Sequence, residues 1–328
     1  MGWTAILIPQ QYGGLEYGYS GLGIVLEETG RTLTPSPLLS SCLMGVTALV
    51  KGGSAEQCGQ YLPKVAAGSH LLALAVNESS RQAPYAVTTT AKTCDNGFRL
   101  AGRKTAIIDG QTADTIIVSA RTRGADHDCD GISLFLVPAD QPGITVEGYR
   151  VLDTHCAAHV TLDDVKIAGD CLLGELHQGA AVLDQVLDAG VIGQSAELLG
   201  LAQEAFERTL EYLKERKQFG VPIGSFQALQ HRAAVMFGDI EHCKSLVLKA
   251  LHALDQDAGD ISELASLVKA KLSETAHHVA AEAIQMHGGI GMTDEFDIGF
   301  FLKRCKILET FLGDRYFHLD RFAAQRGY

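Results

Sequence analysis

The stretch Glu215-Arg216-Lys217-Gln218-Phe219-Gly220-Val221-Pro222-Ile223-Gly224-Ser225-Phe226-Gln227 separates two long helical patterns in the C-terminal half of the chain. Upstream, residues 183–216 read as a helix of roughly ten turns. Downstream, residues 228–255 are apolar at i, i+3, i+4 spacing. Gly220, Pro222 and Gly224 stop the first helix, and a second starts after Ser225. The break presents a cation (Arg216), an aromatic ring (Phe219) and an amide (Gln227) at a helix end. A guanidinium suits a pyrophosphate, a ring suits a flat or apolar face, and an amide suits base or ribose edges, so the set suits a nucleotide. The same residues also fit a helix–turn–helix corner whose charges are merely solvated. This stretch alone leaves both open.

A second glycine cluster, Gln285-Met286-His287-Gly288-Gly289-Ile290-Gly291, ends the third long helical pattern. Such glycines let a backbone or phosphate approach closely, and they equally serve as a helix C-cap. They do not follow a strand as GxGxxG, so a dinucleotide-fold reading fails. Working outward, the helical pieces are 178–216, 226–256, 260–287 and 306–325, which predict an up-down four-helix bundle. Asp260 with Glu263 predicts a helix start close to a capping box.

Before the bundle the period is two. Residues 71–76, 86–93, 98–100, 105–108, 115–120, 132–137 and 159–162 are short β-rich runs, and Asp95-Asn96-Gly97 is a hairpin signal. Short strands without intervening helices predict an antiparallel barrel or sandwich rather than a doubly wound sheet. The 121–131 segment, with Gly124, Asp126, Asp128 and Asp130, is expected to be a polar loop. Before about residue 72 the chain is helical again, at 21–32, 40–51 and 54–67, broken by Pro35 and Pro37. The expected fold class is therefore α+β multidomain: an N-terminal helical domain over 1–72, a middle antiparallel β-barrel domain over 73–172, and a C-terminal four-helix bundle over 173–328.

Composition excludes several classes. The 328 residues are 46% hydrophobic and 20% charged, an ordinary globular profile long enough for two or three cores. No apolar run reaches membrane-spanning length, so no membrane partner is expected. The net charge of −12 argues against nucleic acid as a partner. Eight cysteines stand singly, without a CxxC pair, and are expected to be mostly buried thiols in a reducing cytosol. No signal-peptide pattern opens the sequence, so the expected location is cytoplasmic. His277-His278, and His155 with His159, lack HExxH or paired cysteines, so no metal is expected. A GxSxG nucleophile elbow is also absent.

The order of elements, with ERKQFG and QMHGGIG in the bundle, resembles the acyl-CoA dehydrogenase family over essentially the whole chain. Pro9-Gln10-Gln11-Tyr12-Gly13-Gly14 resembles that family's P-x-x-Y-G-G, and Gly102-Arg103-Lys104 its G-x-K. The resemblance implies FAD as cofactor, an acyl-CoA substrate, and electron-transferring flavoprotein as redox partner. In the family a carboxylate removes the α proton and flavin N5 takes the β hydride. Helices that usually precede P-x-x-Y-G-G are missing, which implies a shortened N-terminal domain.

The resemblance is uneven around the cofactor. The family's T-E-P-x-x-G-S-D aligns with Asn77-Glu78-Ser79-Ser80-Arg81-Gln82-Ala83-Pro84, and its W-I-T with Ala106-Ile107-Ile108. Ile108 cannot donate a hydrogen bond. The catalytic Y-E-G aligns with Phe311-Leu312-Gly313, and the family's other base position with about Gly190. Neither leucine nor glycine takes a proton, and Glu309 and Asp314 lie nearby but out of register. By contrast Arg216, Phe219, Gln227, Gln285, Gly288 and Gly289, the residues implied for the adenosine side, are kept. One half of a cofactor site kept and the other lost resembles members that work as α2β2 heterotetramers on bulky CoA thioesters such as steroid fragments. The expectation is a base-lacking subunit that completes a catalytic partner's FAD site. The alternatives are a self-sufficient homotetramer with Glu309 or Asp314 as a displaced base, and a scaffold that binds no flavin.

Overall fold

Period-two patterning between residues 71 and 173 becomes one eight-stranded sheet in the computed structural model, which describes residues 2–328. The strands are β1 (Leu72–Ala75), β2 (Thr90–Cys94), β3 (Gly97–Ile108), β4 (Thr115–Arg121), β5 (Ile132–Pro138), β6 (Ile144–Arg150), β7 (Cys156–Ala168) and β8 (Leu172–Leu173). The path runs β6-β7-β3-β2-β4-β5-β8, with β1 on β4. It is antiparallel along most of its length, but β1 pairs with β4 in parallel, and β2 meets β4 in parallel at Thr90 and Arg121. The β2–β3 hairpin lies between β1 and β4 in sequence, so the chain has reversed twice before β4 begins. Cys94 pairs with Gly97 around Asp95-Asn96, so the expected hairpin forms with a two-residue turn.

Three strand expectations are corrected. The run expected at 86–93 is a strand from Thr90 onward. The runs at 98–100 and 105–108 are one bulged strand, because the register against β7 slips at Leu100/Gly102 and at Lys104/Ile107. Strand β6 was not expected: it carries Gly148 and a half-exposed alternation at the sheet edge, a weak hydrophobic signal. The core beneath the sheet includes Leu100, Ile116, Val118, Phe135, Val160 and Leu162.

By its contacts the chain groups into two compact units. The first holds the chain through Gly18 and Pro37–Gly190, and thus the sheet. It also holds a π-helical segment Leu38–Gly45, α2 (Val46–Gly52) and α3 (Ala55–Ala66). The helix expected at 40–51 is therefore wound in two ways, and all eight π-helical residues are buried. Ser54 and Gln57 close a full capping box on α3. The polar 121–131 loop is ordered by the buried Arg121, whose guanidinium donates to the carbonyls of Tyr85, Asp126, Asp128 and Asp130 at 2.7–3.0 Å.

The second unit holds Tyr19–Ser36 and Val191–Tyr328. Its helices are most of α1 (Gly18–Thr32), the later part of α4 (Gly179–Glu215), α5 (Gln227–Asp255), α6 (Ile261–His287), α7 (Ile298–Thr310) and α8 (Arg315–Gln325). Helices α1 and α4 approach at two glycines. A Cβ on Gly30 would sit 2.0 Å from the Glu197 carbonyl oxygen, and one on Gly200 would sit 1.8 Å from that of Glu27. The expected single helix at 306–325 is corrected to α7 and α8, because Leu312 and Gly313 take positive φ (59° and 99°) between them. Asp260 stands at the start of α6 but makes no side-chain cap, so the expected capping box does not form. All eight cysteines are free; Cys42, Cys58, Cys243 and Cys305 are buried, while Cys129 is exposed. No helix among the described residues is long and apolar enough to cross a membrane.

Candidate functional site

The corner between α4 and α5 is built by a ribbon that the sequence did not predict. Helix α4 ends at Glu215, and Lys217–Gln218 (β9) pairs antiparallel with Val221–Pro222 (β10) around Phe219 and Gly220, which take φ of 54° and 82°. The Ile223 amide donates to the Arg216 carbonyl at 2.8 Å and closes the ribbon onto the helix end. A 3-10 turn, Ile223–Ser225, then leads into α5 at Gln227. Phe219 is 92% exposed, with Phe226 edge-on at 6.0 Å. Arg216, Gln227 and Gln285 are exposed, and their side chains have no hydrogen bond or ion pair among the described residues.

The second cluster follows α6. Gly288 (φ 66°, ψ −142°) ends the helix, and a Cβ on Gly288 or Gly289 would meet nothing within 4 Å. At Gly289 the protein's own packing therefore does not require glycine, and the open space admits an external group. A stacked pair ties the two clusters together. The Tyr212 ring, one turn before Arg216, lies 4.4 Å from the His287 ring, and its hydroxyl donates to the His287 carbonyl at 3.2 Å. Phe296 also packs against His287 at 4.8 Å and lies 6.3 Å from Tyr212. Burial holds His287 below the ordinary imidazole range, and its Nδ1 lies 2.7 Å from the Ala283 carbonyl oxygen. Sequence reasoning missed Tyr212 and His287; the one signal was the placement of each within a turn of a motif.

Leu312 is 5% exposed in the turn between α7 and α8. Of its two out-of-register carboxylates, Asp314 accepts from the Phe317 amide at 2.8 Å and caps α8. Glu309 accepts from Lys306 at 3.0 Å and lies 3.5 Å from His277 Nδ1. The turn is held from below by Lys269, fully buried on α6. Its Nζ donates to the Leu308 and Phe311 carbonyls and to Gln194 Oε1. Gly190, the other aligned position, is buried within α4.

In the first unit, the residues that match the family segments serve the fold. Glu78 Oε1 lies 2.8 Å from Nζ of Lys104, which is wholly buried and also donates to the Val76 carbonyl and Ser119 Oγ. The Thr88 and Thr89 amides and the Thr88 hydroxyl also donate to Glu78. Burial raises the Glu78 carboxyl, but the Lys104 ammonium and these donors outweigh it and hold it down at about 2. Burial, partly countered by Glu78, pulls Lys104 down to about 8. Ala106 (φ 53°) lies in the β3 bulge, Ile107 is buried, and Ile108 ends the strand with no side-chain donor.

Residues 1–69, 68–165 and 177–326 match the N-terminal, middle and C-terminal domains of acyl-CoA dehydrogenase. The chain belongs to the acyl-CoA dehydrogenase family. It is 32% identical over 319 residues to probable acyl-CoA dehydrogenase YngJ of Bacillus subtilis, spanning 94% of this chain and 83% of the relative. The caffeyl-CoA reductase–Etf complex subunit CarC of Acetobacterium woodii is 30% identical over 321 residues, spanning 95% and 83%. Among solved structures, butyryl-CoA dehydrogenase from Megasphaera elsdenii superposes with a TM-score of 0.94 at 26% identity, covering 100% of this chain and 88% of its own. The Tcur3481–Tcur3483 steroid ACAD superposes with a TM-score of 0.89 at 32% identity, covering 99% and 86%.

This acyl-CoA dehydrogenase-type chain is thus a flavin oxidoreductase acting on CH–CH bonds, and its cofactor is FAD. The corner on the second unit fits the adenosine diphosphate end of FAD: an uncommitted guanidinium, an exposed ring and open glycine backbone are there together.

Proposed function

We propose that this chain is the base-lacking subunit of an α2β2 acyl-CoA dehydrogenase and completes the FAD site of a catalytic partner. One observation carries the reading. The aligned base position is a buried leucine; of the neighbouring carboxylates, Asp314 caps a helix and Glu309 pairs with Lys306 and faces His277. Removal of an α proton by a positioned base contributes about 10²–10⁴-fold, and no group at this turn is placed to supply it. Bound FAD supplies the hydride acceptor. In this reading Arg216 binds the diphosphate, Phe219 covers an apolar or flat face, and Gln227 and Gln285 hold base or ribose edges. Gly288 and Gly289 allow the close approach.

The likeness to a steroid ACAD supports a bulky acyl-CoA of the steroid class as substrate. The likeness to a subunit of an Etf complex supports electron-transferring flavoprotein as the electron acceptor. A cytoplasmic location and the three-part division at about residues 72 and 172 belong to the same reading.

Flavin absorbance decides it. The chain purified alone is expected to hold little FAD and to leave acyl-CoA unoxidised. Co-expressed with its partner, the complex is expected to hold two FAD per four chains. One FAD per chain with full activity alone would restore the homotetramer, and absence of flavin from the co-purified complex would leave a scaffold.

A further inference from the structure

We propose that His277, Cys305 and Glu309 form a binding site for a divalent cation of the zinc class. Cys305 and Glu309 are one turn apart on α7 and so share a face, and His277 reaches the same point from α6. One ligand atom from each residue lies within 4.8 Å of the others. His277 Nδ1 and Glu309 Oε2 are 3.5 Å apart. Two ligands at about 2.0–2.2 Å from a tetrahedral ion sit at about that separation. The Cys305 sulfur, within 4.8 Å of both, closes toward them as an ion enters.

An independent observation points to an absent ligand. His277 Nδ1 is buried and has no hydrogen-bond partner, although its ring is partly exposed. A buried ring nitrogen that makes no hydrogen bond, and whose polar neighbour is the Glu309 carboxylate at 3.5 Å, leaves room for a cation between the two. The donor set selects the ion. Sulfur and imidazole favour zinc over calcium or magnesium, which prefer oxygen alone. Three protein ligands leave a fourth position for water.

At present Lys306 occupies the cation's place against Glu309. Its side chain is 44% exposed and can swing into solvent when an ion enters. As the sulfur–metal bond forms, the Cys305 S–H bond breaks and its proton passes to water. The bound ion pins α7 to α6 just ahead of the Leu312 turn. Sequence spacing hid the set because its ligands come from two helices.

The test uses the protein as purified, with any partner that accompanies it, stripped with a chelator and titrated with Zn²⁺ against a chromogenic competitor. We expect one Zn²⁺ per chain, binding weakened at least about tenfold by Cys305→Ala and by His277→Ala, and binding strengthened by Lys306→Met. Co²⁺ should give a thiolate charge-transfer band that Cys305→Ala removes. His277 is partly exposed, so His277→Ala keeps the test open should Cys305→Ala fail to fold. Zinc uptake well below one per chain, wild-type binding by His277→Ala, or no thiolate band with Co²⁺ would overturn the site.

Discussion

The Nζ atom of Lys269 lies 3.0 Å from the carbonyl oxygen of Phe311, the residue before the buried Leu312. The same ammonium donates to the Leu308 carbonyl and, at 2.6 Å, to Gln194 Oε1, so its three donors are all used. A fully buried cation thus caps the C-terminal end of α7, where the helix leaves carbonyls without intrahelical partners. Burial nevertheless pulls its pKa down to about 7. The turn that holds Leu312 is shaped from below by a structural lysine.

Lys269→Met keeps the bulk and removes the donors. It leaves the Leu308 and Phe311 carbonyls buried without a partner, and stability is expected to fall by about 2–3 kcal/mol. Urea unfolding reads this directly. An unchanged midpoint would mean that water reaches the carbonyls once the lysine is gone.

Glu78 predicts an acid limit to stability. Its folded pKa of about 2 lies below the ordinary 4.5, so its contribution is complete above 4.5 and is lost as pH falls toward 2. Thermal midpoints measured between pH 5 and pH 2 should fall more steeply in the native protein than in Glu78→Gln. At pH 7, Glu78→Gln takes away the charge partner of the buried Lys104, which must then shed its proton or stay unpaired, and is expected to lower stability by about 3–5 kcal/mol. Parallel pH curves would show that the pair contributes nothing.

Arg216→Ala should weaken FAD retention by the co-purified complex about tenfold or more, since a charge-assisted bond is worth roughly 1.5–3 kcal/mol. The guanidinium has no partner among the described residues, so folding stability should stay the same. Flavin release on dilution gives the first number and urea unfolding the second. Unaltered flavin release would remove Arg216 from the cofactor site.

Asp314 separates a cap from a base. Asp314→Asn keeps an N-cap acceptor for the Phe317 amide, so both stability and turnover of the complex should be retained. Asp314→Ala should lower stability by about 1 kcal/mol. Loss of acyl-CoA turnover in Asp314→Asn, with stability intact, would make Asp314 the displaced base.

Local signals were legible wherever a residue's neighbours in sequence are also its neighbours in space. The change from a helical to a two-residue period near Leu71, and back near Leu173, showed the β region between helical parts. Asp95-Asn96-Gly97 showed its hairpin, and Gly288 showed where α6 stops. The family resemblance was legible for the same reason, since its motifs are short and contiguous.

What depends on distant partners was decided by tertiary structure. Glu78 and Lys104 looked like remnants of cofactor motifs, yet they are 26 residues apart and pair with each other in the core. Tyr212 and His287 are 75 residues apart and stack to join the two glycine-bearing segments. Where the last helical stretch divides, Lys269 from another helix holds the carbonyls before Leu312. Periodicity records which face of an element is apolar. It carries no record of which buried charge another element will satisfy, because that cost arises when the chain closes on itself and water leaves.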